Sequence, residues 1–159
     1  MSNIEEHVKI DDKTQSYKDL DLTMPTVFVL RGLPGTGKTT IAELLSAKLD
    51  AVVISSDNYW SESNPFDTKK VNDSYKWSFE RYKEYIKVKT PFIVVDQTNI
   101  KTFNYKHYVD YAQRNGYIAV IMILPHNHLS ENEMSKRSSN KVSQLSIRKL
   151  KSAFEWRLE

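Results

Sequence analysis

The chain has 159 residues, 40% of them hydrophobic and 27% charged, with a net charge of +3 and no cysteine. That length suits a single domain able to bury its own core. The lack of cysteine excludes a disulfide framework and a thiolate metal site, and suits an intracellular setting, cytoplasmic or nuclear. The charge is uneven. Residues 1–24 carry six acids and three bases, and the remainder carries 14 acids and 20 bases. A moderately basic body is compatible with a polyanionic partner, and equally with a plain lysine-rich surface. The start, MSNIEEHVKI, has no basic flank followed by an apolar run, so no secretory signal is expected.

Residues 1–24 show no sustained apolar period and are expected to form a flexible arm, with a short helix at most around Gln15–Leu20. Residues 25–159 form the expected domain. Thr26 to Gly32, TVFVLRG, is a β-branched and aromatic run that reads as a buried strand. After Lys38, apolar residues at Ile41, Leu44, Leu45 and Leu49 follow a helical period. Ala51–Ser55 is a second strand. Asn58–Lys70, with Asn64-Pro65, reads as a loop. Asp73 or Ser74 is placed to cap a helix running to about Val88, with Trp77, Tyr82 and Ile86 inward. Phe92–Asp96 is a third strand, and a helix from about Phe103 to Asn115 should end at Gly116. Tyr117 begins a fourth strand, YIAVIMIL, an apolar run far too short to span a membrane. His126–Ser143 is polar, and a last helix starts near Ile147. Strands alternating with helices predict an α/β fold with a parallel sheet of four to five strands and helices on both faces.

Three of the four glycines crowd into LRGLPGTGKTT. Gly32-Leu33-Pro34-Gly35-Thr36-Gly37-Lys38-Thr39 matches G-x-x-x-x-G-K-[ST], preceded by a strand and followed by a helix that opens with Thr40. Such a loop turns backbone N–H groups toward phosphates at a helix N-terminus. Lys38 supplies a point charge for the β- and γ-phosphates, and the Thr39 hydroxyl a magnesium ligand. Asp96, ending the third strand, is placed to hold the Mg²⁺ shell, or alternatively to cap a strand end. Thr98 and Asn99 follow as candidates for positioning substrate. Asp57 ends the second strand facing the same crevice, where it could serve as a general base or merely as a turn aspartate. Arg137 and Lys141, four apart, would share a face if helical and could close over phosphates; a solvated basic face is the alternative. His126 and His128 read as plain surface loop. Phe103, Tyr105, Lys106, His107 and Tyr108 read as the start of an amphipathic helix, with stacking on a single strand as the other possibility.

The blocks LRGLPGTGKTT, ISSDNYW, YKWSFER, IVVDQTNI and KRSSNK together resemble the polynucleotide 5′-hydroxyl kinases, in particular the P-loop domains of the Nedd-four-binding type and the kinase domain of phage polynucleotide kinase. The resemblance spans about Thr26 to Glu155. It implies the P-loop NTPase fold with a short helical lid, ATP and Mg²⁺ as cofactors, and a 5′-OH end of DNA or RNA as acceptor, with no membrane and no obligate protein partner. It implies further that Lys38 and Thr39 hold phosphate and metal. Asp57, in the S-D-x-Y block with Tyr59, would activate the 5′-hydroxyl. Asp96, Thr98 and Asn99 would form the D-x-T-N block, and Arg137 would be a lid arginine. Lys141 stands where the phage enzyme has a second lid arginine, and keeps the charge without the bidentate fork. Trp60 stands where the phage enzyme has an arginine that helps hold the acceptor; a tryptophan can stack on a terminal base instead. Zeta-toxin-like kinases, which share the loop and base aspartate but phosphorylate a small acceptor, are the alternative. So is a nucleotide-binding module without transfer.

Overall fold

The computed structural model describes residues 23–138 and 141–156. The expected arm and its short helix lie outside the described residues, apart from its end. Four strands, β1 (Thr26–Arg31), β2 (Val52–Ile54), β3 (Phe92–Asp96) and β4 (Ile118–Ile123), form one parallel sheet in the order β2-β3-β1-β4. The helices are α1 (Lys38–Leu49), α2 (Val71–Lys87), α3 (Thr102–Arg114), α4 (Glu131–Arg137) and α5 (Gln144–Ala153).

Both faces of the sheet are covered, so β1 alternates between two cores. Val27 and Val29 pack with Tyr82 and Ile86 of α2 and Tyr105, Tyr108 and Ala112 of α3. Phe28 and Leu30 pack with Ala42 of α1 and its half-buried neighbours Ile41, Leu45 and Leu49. Burial on both faces is why these strands read as unbroken apolar runs rather than as alternating ones. A third cluster lies beyond the strand ends. There Leu33 and Ile100 meet Met134 of α4, Ile147 of α5 and Phe154.

Several local expectations change. Helix α2 is not capped by Asp73 or Ser74. It begins at Val71, running straight on from a one-turn 3-10 helix, Thr68–Lys70, whose cap is Asp67 accepting from the Lys69 N–H at 2.9 Å. Ser74 is buried, and its hydroxyl donates back to the Val71 carbonyl. The polar stretch after β4 contains α4, started by a reciprocal cap in which Ser130 accepts from the Glu133 N–H and Glu133 accepts from the Ser130 N–H. That helix ends at Arg137, and Lys141 sits beyond it with φ 53°, so Arg137 and Lys141 do not share a helix face. His126 is buried, packed against Phe154 at 5.4 Å and Trp156 at 4.9 Å, rather than lying in a surface loop.

One charge is sealed inside. Arg31, the last residue of β1, is 0% exposed. Its Nε donates to the Asn99 carbonyl at 2.8 Å, and its Nη2 to the carbonyls of Ile100 at 3.0 Å and Glu155 at 2.6 Å. Its guanidinium lies over the rings of Tyr105 and Phe154. The carboxylate of Glu155 in turn accepts from the backbone N–H and hydroxyl of Thr102, at the N-terminus of α3. Arg31 thereby ties the first strand to the loop after β3 and to the end of α5.

Truncation would leave three carbonyls without their charged donor. Arg31→Ala is expected to lower unfolding free energy by about 2–4 kcal/mol in denaturant titration. His126 yields a pH prediction. Burial, followed by the nearby Lys151 and His128, holds its imidazole below the usual histidine range. The unfolded imidazole takes up its proton near pH ~6.5 while the folded one stays neutral. Stability is therefore present at neutral pH and lost as pH falls below that point. Melting curves between pH ~7.5 and ~5.5 should show a smaller decline for His126→Leu than for the parent.

Candidate active site

The site lies beyond the carboxyl ends of β1, β2 and β3, where open parallel sheets hold ligands. The loop from Gly32 to Gly37 leaves β1 and turns directly into α1. Its first N–H, from Gly32, donates to the Thr98 carbonyl at 3.0 Å, which fastens the glycine loop to the segment after β3. Gly35 and Gly37 have φ of 80° and 100°, a left-handed backbone that side chains rarely adopt. Gly35 has a second constraint. A Cβ on it would run into the backbone carbonyl of Met134 in α4. The short helix is thus docked on the glycine loop through bare backbone. Arg137, one turn after Met134, is carried over the same loop.

A cleft of about 540 Å³ opens there. Its floor is the run Pro34 to Thr40, its walls are Asp57, Asp96, Thr98 and Tyr75, and the end of α4 closes it with Arg137 and the capping Ser138. Lys38 Nζ donates to the Leu33 carbonyl at 3.1 Å, folded onto its own loop. Burial holds the Lys38 ammonium below the usual lysine range, against the opposing pull of Asp96 and then Asp57. Burial likewise pushes the Asp96 carboxyl up, opposed by Lys38 and by a hydrogen bond from the Thr39 hydroxyl. One cation, two carboxylates and one hydroxyl therefore act on each other at the mouth of the glycine loop.

Asp57 is exposed in a one-turn 3-10 helix, Ser56–Tyr59. The strand itself ends at Ile54, and Ser55 Oγ caps the turn by accepting from the Asp57 N–H at 3.2 Å. Since Ser55 does the capping, the Asp57 carboxylate is left to face the cleft. Tyr75 stands beside it: burial raises the Tyr75 phenol above its ordinary range, and the Asp57 carboxylate raises it further.

Other sequence-selected residues stand apart from the cleft. Leu33 is fully buried and contributes its carbonyl, which accepts from both Lys38 and the Thr36 hydroxyl. Asn99 is buried with φ 49°, its side-chain amide donating to the Leu30 carbonyl at 2.7 Å. Tyr59 and Trp60 make an edge-on pair at 4.8 Å, extended by Trp77 on the Tyr59 side and Phe66 on the Trp60 side. Lys141 is exposed outside the cleft wall, which Val142 joins instead. The wall residues Ser56, Tyr75, Gln97, Ser138 and Val142 were not singled out from sequence. All but Val142 fall inside blocks that carry the resemblance, Ser56 in ISSDNYW, Tyr75 in YKWSFER, Gln97 in IVVDQTNI and Ser138 in KRSSNK, though none was given a role there.

Hydroxyl and carboxylate oxygens suit a hard cation such as Mg²⁺. No group of three or more His, Asp or Glu among the described residues forms a cage for one. Mg²⁺ is usually held by one or two protein oxygens together with phosphates, and the Thr39 hydroxyl and Asp96 carboxylate at the mouth of the loop have the oxygen chemistry for that. No helix among the described residues is long and apolar enough to cross a membrane.

The AAA domain family matches residues 27–156, almost the whole described part of the chain. The chain belongs to that family. It is also 33% identical over 108 residues, 66% of its length, to the human NEDD4-binding protein 2, of which it spans only 6%. Among solved structures, a chain of the Pnkp1/Rnl/Hen1 RNA repair complex superposes with a TM-score of 0.63 at 16% identity, covering 87% of this chain and 46% of that one. A gluconokinase from Sinorhizobium meliloti 1021 superposes with a TM-score of 0.54 at 17% identity, covering 83% and 76%. The fold is that of a P-loop kinase domain, a fold that implies nucleotide binding.

Gly35→Ala would combine a left-handed φ with a collision against the Met134 carbonyl. It is expected to cost about 1–3 kcal/mol in stability and to weaken nucleotide binding at least tenfold, read by thermal melting and calorimetric titration.

Proposed function

We propose that this domain is an ATP-dependent polynucleotide 5′-hydroxyl kinase, moving the γ-phosphoryl group of ATP to a 5′-OH end of DNA or RNA. The observation that carries it is a single cleft in which the glycine loop and Lys38 stand opposite Asp57, with Arg137 above them. The S-D-x-Y and D-x-T-N blocks add the acceptor class. The RNA repair complex among the structural neighbours agrees with it.

The roles follow from position. Backbone N–H groups of the loop and the N-terminus of α1 hold the phosphates. Lys38 leaves the Leu33 carbonyl to reach them. Thr39 and Asp96 would hold Mg²⁺, which supplies neutralisation of phosphate charge. Asp57 orients the acceptor hydroxyl and takes its proton. The hydroxyl oxygen then bonds to the γ-phosphorus, the bond to the bridging oxygen breaks, and ADP leaves. Arg137 balances charge on the transferring group.

The test is label transfer from γ-labelled ATP to 5′-OH single-stranded DNA and RNA. Asp57→Asn should lower transfer by about 10²–10⁴-fold while ATP binding stays intact. Transfer to small hydroxyl acceptors in place of oligonucleotides would move the assignment to a small-molecule kinase. ATP binding with no transfer to either would make the domain a binding module. Arg137→Ala should reduce kcat by about 10³-fold or more, and Lys141→Ala far less, because only Arg137 lines the cleft.

A further inference from the structure

The phosphate cleft does not end at Asp57. Tyr75, Gln97 and Thr98 form a shared wall, and on their far side lies a second groove of about 440 Å³. It runs between the start of α3, with Lys101, Phe103 and His107, and the last turn of α5. That volume is within the range of ligand clefts, about 300–1,000 Å³.

Its floor is rigid. Gln97 donates to Ser78 Oγ at 2.9 Å and to Tyr108 Oη at 3.3 Å, and Tyr108 donates to Ser78. Asn99, part of the same wall, is 3% exposed, and its Oδ1 has no hydrogen-bond partner, which leaves one acceptor unused at a buried position. Its rim is different in kind. Phe103 is 72% exposed and Tyr75 48% exposed, large rings held at an open edge. Lys101 adds an exposed positive charge at the N-terminus of α3. The carboxylate of Glu155 is engaged by the N–H and hydroxyl of Thr102.

We propose that this second groove seats the acceptor strand, with the Phe103 ring as a stacking surface for a nucleobase and Lys101 beside the backbone phosphate. The inference rests on the polynucleotide reading above and places its acceptor. An exposed ring accepts any base face, and a lysine accepts any phosphate, so the groove selects for a chain of nucleotides rather than for a sequence. A small acceptor needs only the first cleft, whereas a strand continues past the shared wall of Tyr75, Gln97 and Thr98 into the second groove. The strand lies on the α3 side of Tyr75, not on the Tyr59–Trp60–Phe66 side, where the rings already pack on one another.

The experiment compares parent, Phe103→Ala, Phe103→Trp and Lys101→Ala with 5′-OH oligonucleotides of increasing length. Phe103→Ala is expected to raise the oligonucleotide KM by about tenfold or more. The expectation includes kcat within about twofold, an unchanged KM for ATP, and recovery in Phe103→Trp. Lys101→Ala should weaken binding less and flatten its salt dependence. In a second arm, Phe103 is replaced by photoreactive benzoylphenylalanine and irradiated with oligonucleotide and ADP. A crosslink to the first nucleotides supports the groove. A crosslink to residues 1–24 of the chain makes the acidic arm the occupant and overturns it. A parent that phosphorylates oligonucleotides, with Phe103→Ala indistinguishable from it, sinks the groove alone. A parent that neither binds nor phosphorylates oligonucleotides sinks both the groove and the polynucleotide assignment.

Discussion

Everything at the ligand end of this domain hangs on a buried positive charge. Arg31 closes the central strand, and its three hydrogen bonds reach the carbonyls of Asn99, Ile100 and Glu155. Burial lowers its pKa, yet an arginine keeps its proton, so the charge must be met by carbonyl dipoles and by the faces of Tyr105 and Phe154. Such a site has one stable arrangement. It fixes where the segment after β3 runs, and that segment carries Thr98, whose carbonyl accepts from Gly32. The same arginine holds the chain just beyond α5, so the far wall of the second groove is anchored to the strand that feeds the glycine loop.

A second constraint follows from the first. Gly35 approaches the Met134 carbonyl more closely than any side chain would allow. Helix α4 is only seven residues long and would be marginal alone. Three things hold it: the Ser130–Glu133 cap, the fully buried Met134, and the hydrogen bond in which Ser138 Oγ accepts from the Val142 N–H at 2.8 Å. The glycine therefore acts twice, once for the curvature that aims N–H groups inward and once as the socket for the helix bearing Arg137. On the proposed reading, phosphate contact and the placement of Arg137 both depend on this one residue.

The sheet was legible because burial on both faces writes it as apolar runs. Phe92–Asp96 falls where the sequence placed it, and α3 ends before Gly116, which takes φ 79°. The glycine loop was legible because its spacing has a mechanical reason. What could not be read depends on distant contacts. Arg31 sits in a run that looks wholly apolar, and its partners lie 68 to 124 residues away. His126 is buried only because Phe154 and Trp156 fold over it. Asp57 looked like a strand end, and Ser55, two residues earlier, turned out to do the capping. Helix α4 was expected only through the resemblance, as a short lid bearing Arg137, and its start was also readable, since Ser130 followed three residues later by Glu133 is a helix-start signal. Tyr75 opens the YKWSFER block, but the block does not tell its role, which comes from standing between two cavities.

The two carboxylates illustrate how one crevice divides labour. Asp96 ends a central strand, half-buried against Lys38 and Thr39, where on the proposed reading its charge holds a cation. Asp57 sits on an exposed turn, where water reaches it. An exposed base next to a triphosphate would serve water as readily as any hydroxyl. Transfer must therefore be favoured by position, since holding a hydroxyl in line can be worth about 10⁵–10⁸ M in effective concentration. On the proposed reading, selectivity against hydrolysis lies less in Asp57 than in what grips the rest of the acceptor. Gln97 and Tyr108, hydrogen-bonded to each other and to Ser78, would give that grip a fixed reference beside the base.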